Sequence, residues 1–156
     1  MKGESTIMAE YCEAVEVADL ARELIREHHT TLGEADIVYL FRDKALKSKG
    51  KLTFGKAKKT SPIELTLTGY DFVIWVAEDK WNGMDWKTRK ALVDHELSHC
   101  GLDEEGNWTI YEHDFTGFNA VMKRHGYWSG DLKQMKKNMK QMSLFESNKP
   151  KLEVIR

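Results

Sequence analysis

Apolar residues along this 156-residue chain follow two rhythms, a helical period near 3.6 and short continuous runs of strand length. Over residues 6–28, Ile7, Tyr11, Ala14, Ala18, Ala21 and Ile25 recur at spacings of mostly three and four, and Val15, Val17, Leu20 and Leu24 widen the stripe. The spacing predicts an amphipathic helix with an acidic outer face, stopped at Gly33 in TLGEAD. DIVYLFRD, residues 36–43, is β-branched and aromatic, and predicts a strand. The lysine-rich stretch 42–59, with Gly50 and Gly55, reads as a hairpin or an irregular loop. IELTLTG (63–69) and DFVIWVAED (71–79) predict two more strands joined at Gly69 and Tyr70. The second is apolar almost throughout, which predicts a central strand or one covered on both faces. FVIWVA also stands just before the next helix, where its edge could pair with an extended chain.

Beyond Gly83 the period returns to that of helices. Asp85 is placed as the N-cap of a helix running to about Cys100, with Gly101 at the C′ position. GLDEEGN reads as a polar loop. A further helix is expected from near His113, with Phe115, Phe118, Val121 and Met122 on one face and Gly126 as its stop. SGDLKQMKKNMKQM predicts a last helix with Ser129 or Asp131 near its cap. No internal repeat and no second apolar core stand out. The expectation is a single α+β domain over residues 1–145, ordered helix, sheet, then helices, with a loose C-terminal tail over 146–156.

Composition narrows the class. At 41% hydrophobic residues the chain can bury a sizeable core without staples. The longest apolar runs, IVYLF and FVIWVA, are far too short to span a bilayer, so no membrane partner is expected. MKGESTIMAE is polar and leads into the acidic helix, unlike a signal peptide. Cys12 and Cys100 make no disulfide framework, and together these features predict a cytoplasmic protein. The net charge of −1 hides an uneven spread: residues 42–59 carry eight bases and one acid, and the chain from Ser129 carries seven bases and three acids. Such segments either meet nucleic acid or form solvated lysine faces, and no arginine cluster or aromatic interleaving sharpens the first reading. Nothing in the pattern fixes an oligomeric state.

The densest chemistry lies in VDHELSHC, residues 93–100. His95 and His99 are four apart, so on a helix they share a face, and Glu96 follows the first directly. HExxH on a helix is the ligand pattern of zinc peptidases, in which the Glu is general base to a zinc-bound water. Leu92, Val93 and Leu97 would root that helix in the core. One zinc ion per chain is expected, with Glu96 catalytic. A catalytic zinc needs a third protein ligand, and His113 is the best placed, after a loop long enough to fold back. Glu104, Glu112 and Asp114 are lesser choices for that ligand. Cys100 projects about 100° around the helix from His99 and reads as a buried free cysteine. His28, His29 and His125 read as positive ends complementing helix dipoles. Asp94 and Asp114 adjoin ligands and could orient their imidazoles, or serve as solvated caps. Tyr111 or Tyr127 could donate to an oxyanion.

HELSH, a loop, and then HDFTGF on an apolar helix resemble the small zinc metallopeptidases of the SprT-like and WLM types. The likeness is greatest to small metallopeptidases encoded by bacteriophages and prophages, whose shared pattern DHEL-x-HC, HD-x-x-x-F, RHG-x-W stands here as DHELSHC, HDFTGF and RHGYW. It covers about residues 10–128. The resemblance implies a minimal zincin fold: a helix, a small twisted sheet, the HExxH helix and a ligand-bearing helix. It also implies His95, His99 and His113 as ligands, Glu96 as base, a protein or peptide substrate and, for a phage-encoded chain, a bacterial host cell. SprT-like proteins often carry a separate DNA-binding or zinc-ribbon module, and this chain has no CxxC pair. The alternative reading keeps the zincin scaffold as a binding protein for DNA or a protein partner, without peptidase activity.

Overall fold

The computed structural model describes residues 8–114 and 117–147, with the side chains of the last helix as far as Met142. A short strand β1 (Tyr11–Glu13) precedes helix α1 (Val15–His28). The helix expected over 6–28 therefore starts later; residues 6 and 7 lie outside the described part. Tyr11 to Glu13 are instead drawn onto β2 (Ile37–Arg42), antiparallel, with Tyr11 opposite Arg42 and Glu13 opposite Leu40. The turn into α1 is pinned by the Ala14 amide donating to the Tyr39 carbonyl at 3.0 Å. Tertiary pairing has overridden a helical period that reaches N-terminally past the observed start of α1.

The lysine-rich stretch divides in two. Strands β3 (Leu46–Ser48) and β4 (Lys51–Thr53) form a hairpin, with Lys49 and Gly50 both at positive φ, 50° and 78°, as a two-residue turn requires. Beyond it, β5 (Gly55–Lys59) joins the main sheet, antiparallel to β6 (Phe72–Ala77). The alternation that places β5 is minimal: Ala57 alone is buried between outward lysines. Residues 63–69 are no strand. Helix α2 (Pro62–Thr68) forms there on a capping box in which Ser61 Oγ accepts from the Glu64 amide and Glu64 Oε1 accepts from the Ser61 amide. Pro62 opens it and Gly69, at φ 79°, ends it. Its apparent period of two faced nothing, since no residue of α2 is buried.

The four-stranded sheet runs β1-β2-β6-β5, with β2 and β6 parallel and in register from Ile37 opposite Phe72 to Arg42 opposite Ala77. β6 is central, as its apolar run predicts, and Phe72, Ile74 and Val76 are fully buried. A short helix α3 (Glu78–Trp81) leads to α4 (Trp86–Ser98), capped by Asp85 accepting from the Thr88 amide at 2.8 Å. Val17, Ala21 and Leu24 of α1 and Val93 and Leu97 of α4 join those strand residues in one core. Each of these side chains larger than alanine contributes roughly 1.5–3 kcal/mol before entropy is charged.

α4 stops at Ser98, two residues short of expectation, because Cys100 and Gly101 enter a second hairpin. Strands β7 (Cys100–Leu102) and β8 (Trp108–Ile110) replace the expected loop. Gly101 serves close approach rather than helix termination: a Cβ there would stand 2.2 Å from Tyr111 Cε2. Helix α5 (Asn119–His125) begins six residues after His113 and is stopped by Gly126 at φ 66°. Phe115, expected behind His113, lies outside the described residues. Helix α6 (Gly130–Ser147) is capped by Ser129, whose Oγ accepts from the Leu132 amide. Of the tail expected over 146–156, the first two positions belong to α6 and residues 148–156 are outside the description. The architecture is a small α+β, zincin-like domain with α1 and α4 against the sheet.

Candidate metal centre

The inward face of α4 carries the chemistry. His95 and Glu96 are buried at 9% and 4% exposure, and the His95 and His99 rings stand 5.2 Å apart, one turn along the same face. The chain then returns through β7 and β8. The Tyr111 amide donates to the His99 carbonyl at 2.6 Å, and His99 Nδ1 donates to the Tyr111 carbonyl at 2.7 Å. A carbonyl only accepts, so Nδ1 donates in this bond, which leaves Nε2 as the nitrogen that can serve a metal. Two residues on, exposed His113 brings its ring to 4.7 Å from that of His95 and 4.5 Å from that of His99. One ligand nitrogen from each of the three lies within 4.8 Å of the others, and His113 Nε2 is 2.9 Å from His95 Nε2. His113 sits in a loop, not on the helix expected there; β8 delivers it rather than α5. Phe118, directly before α5, packs edgewise on all three imidazoles at 5.3, 4.9 and 5.3 Å.

Electrostatics favour neutral rings at His95 and His113. Burial, with His113 and His99 adding, pushes His95 down to about 3, and burial followed by His99 lowers His113. Neutral imidazoles with converging nitrogens are the donor set for a divalent cation of the zinc kind. Two ring nitrogens brought to 2.9 Å with a third imidazole beside them are a donor set that a cation held by His95, His99 and His113 would satisfy, so the residues present fit a metal. With Nε2 committed to a metal, His95 Nδ1 would carry its proton into a buried position that has no partner.

Glu96 needs its own explanation. Burial pushes its carboxyl up to about 8. Its Oε2 lies against β5 where that strand has no side chain: a Cβ at Gly55 would stand 3.0 Å from it. Glu96, His95, His99 and His113 share one open cleft of about 960 Å³, walled also by Leu52 and Trp128. A smaller cavity of about 350 Å³ between α1 and β2 contains none of these residues.

The other candidate residues are placed as follows. Asp94 points away from the triad and is fully buried, accepting from His29 Nε2, from Arg124 Nε and Nη2, and from His125 Nε2. Burial alone would raise its carboxyl; the hydrogen bonds from His29, Arg124 and His125 outweigh it and hold the group well below the usual carboxylate range. His29 and His125 are thus donors to a buried carboxylate rather than dipole complements. Asp114 accepts from the Asn119 amide at 3.0 Å and so caps α5. The Tyr111 hydroxyl donates to the Leu102 carbonyl, turned from the cleft, and its carbonyl is what serves the site. Tyr127 has Lys136 Nζ 4.9 Å over its ring. Cys100 is a buried free thiol, pushed up to about 12 by burial with Glu96 adding. Glu104 and Glu112 are exposed, and among the described residues only the three histidines form a metal-binding group.

Residues 9–142 match the model of a family described as "Putative phage metallopeptidase". The chain belongs to this family. No curated protein and no solved structure matches it. Among the described residues no helix is long and apolar enough to cross a membrane. For a member of this metallopeptidase family, the histidine group on α4 and after β8 is the expected place for the metal ion.

Proposed function

We propose that this protein is a zinc-dependent peptidase that hydrolyses peptide bonds at the His95–His99–His113 centre with Glu96 as general base. The observation that carries it is the convergence of three imidazole nitrogens within 4.8 Å in the cleft that Glu96 lines. Three imidazole ligands would leave a fourth position for water, the arrangement of catalytic rather than structural zinc. When bound, zinc supplies Lewis acidity to the attacking water and to the carbonyl under attack.

The rest falls to the chain itself. Glu96 takes the proton from the attacking water and returns it to the leaving amine. Its burial favours the protonated form, which suits the second half of that exchange, and a nearby cation would favour the carboxylate needed for the first. His99, oriented by the Tyr111 carbonyl, and His95, rooted in α4, fix two corners of the site. Extended substrate cannot pair with β6, which is flanked by β2 and β5. The outer edge of β5 is unpaired among the described residues, and Gly55, Lys56 and Ala57 border the cleft, so a peptide can add there as a strand.

Glu96→Gln tests the reading, because it removes the base and spares the imidazoles. The variant should bind zinc as the wild type does and lose peptide hydrolysis by at least 100-fold. Retained hydrolysis in Glu96→Gln would sink the peptidase reading, and an unchanged biological effect of the inactive variant would favour a binding scaffold.

A further inference from the structure

One residue before His95, α4 carries a carboxylate that the proposed chemistry does not use. Asp94 is fully buried and takes four hydrogen bonds from three side chains on two helices: His29 Nε2 at 2.6 Å, Arg124 Nε and Nη2 at 2.7 Å each, and His125 Nε2 at 2.8 Å. His29 ends α1, while Arg124 and His125 form the last turn of α5. None of the three imidazoles of the metal centre touches the Asp94 carboxylate.

What Asp94 does hold is α5. A helix of seven residues is too short to persist unsupported, so its placement depends on what fixes its two ends. At the far end the planar guanidinium of Arg124 grips both Asp94 oxygens, a geometry that sets orientation as well as distance. At the near end the Asp114 carboxylate accepts the Asn119 amide, and the Asp114 amide donates to the Gly117 carbonyl at 3.0 Å. Asp114 is the neighbour of His113, and Phe118 at the start of α5 packs on all three imidazoles. An unbroken physical path therefore runs from Asp94 through Arg124, α5 and Asp114 to His113.

We propose that Asp94 is a positioning residue: by docking the last turn of α5 onto α4, it holds His113 at the metal centre. The proposal rests on the reading of His95, His99 and His113 as metal ligands. The rival is that Asp94 merely stabilises the fold, in which case its loss would weaken every part of the site alike.

A double-mutant cycle separates the two, with Zn²⁺ affinity read by competition with a chromophoric chelator. Asp94→Asn should weaken zinc binding by about tenfold or more when His113 is present. In a His113→Ala background the same substitution should change affinity less than twofold, because the route it acts through is already cut. Equal losses in both backgrounds, or undiminished affinity in Asp94→Asn, would overturn the proposal. A metal-free arm reads the docking itself. Hydrogen exchange of the Met122 and Gly126 amides, which donate to the Phe118 and Met122 carbonyls, should quicken at least tenfold in Asp94→Asn while α4 keeps its protection. Unchanged exchange at those amides would also overturn it. Should Asp94→Asn fail to fold, Arg124→Gln cuts the same tie from the α5 side, leaves Asp94 its two imidazole donors, and is read by the same two measurements. A wild-type protein indifferent to zinc would overturn the metal reading and the claim on His113 together, whereas the exchange arm reports on α5 alone.

Discussion

Gly55→Ala is the sharpest small perturbation of the proposed base. Gly55 sits opposite Val76 in the β5–β6 pairing, and a Cβ added there would stand 3.0 Å from Glu96 Oε2 and 3.2 Å from the Trp75 carbonyl oxygen. The Trp75 carbonyl is backbone of the central strand and cannot yield cheaply; the Glu96 side chain can. Restoring an ordinary contact of about 3.4 Å moves the carboxylate by a few tenths of an ångström. A full ångström of misplacement can cost on the order of 100-fold in rate, so this shift should lower kcat by about 3- to 10-fold. Global stability should stay within about 1 kcal/mol, because replacing a strand glycine gains up to about 1 kcal/mol and overpacking loses a similar amount. The assay pairs kcat and KM on a quenched-fluorescent peptide with zinc affinity by chelator competition. The expected pattern is a fall in kcat at nearly constant KM and constant zinc affinity. An unchanged kcat would show that Glu96 does not need the gap in β5; zinc loss in step with activity would show that Gly55 supports the ligands instead.

Two further outcomes follow from the same structure. Limited trypsin digestion should cut first at Lys47, Lys49 or Lys51, which are exposed on the β3–β4 hairpin, and later at Lys56 and Lys58, which β6 holds in the main sheet; first cleavage in β5 would show the pairing misassigned. For metal-free protein, Glu96 lies higher in the folded state, at about 8, than its ordinary 4.5, so the fold gains stability by taking up that proton as pH falls through 8. His95 lies lower, at about 3 against 6.5, so below 6.5 the unfolded chain binds a proton that the fold refuses, and His113 acts in the same direction. Denaturant titrations of chelator-treated protein should therefore show stability rising by roughly 1–2 kcal/mol from pH 8.5 to 6.5, levelling, then falling below about 4.5. A steady decline from pH 8.5 downward would contradict the burial of Glu96.

Much of the site could be read before any coordinates, because its signal is local. HExxH spacing on a helix needs only the 3.6 period and one face, and the apolar run of β6 announces a central strand without further context. Ser61 with Glu64 was an equally local signal for α2, and the β-branched run beside it masked it. The misses elsewhere are of another kind. β1 and β5 exist because partners far along the chain offer them hydrogen bonds, and three- or five-residue strands leave almost no period of their own. Residue type and reach single out His113 as a candidate third ligand, but the helix expected to carry it does not form there. What carries it is β8, fixed by the reciprocal bonds between His99 and Tyr111. The Asp94 cluster joins residues 29, 94, 124 and 125, and no spacing rule connects positions so far apart. Gly55 is similar: its meaning depends on which carboxylate the sheet brings to face it.

The central claim, one metal held by His95, His99 and His113, is tested most directly by native mass spectrometry of protein purified without added zinc. The wild-type chain and Cys100→Ser should each carry the mass of one zinc ion. His95→Ala and His99→Ala should carry none, and His113→Ala should lose it under a modest excess of chelator that leaves the wild type loaded. A wild-type chain that is metal-free and stays so with added zinc, or a His113→Ala chain that holds zinc as firmly as the wild type, would contradict the account.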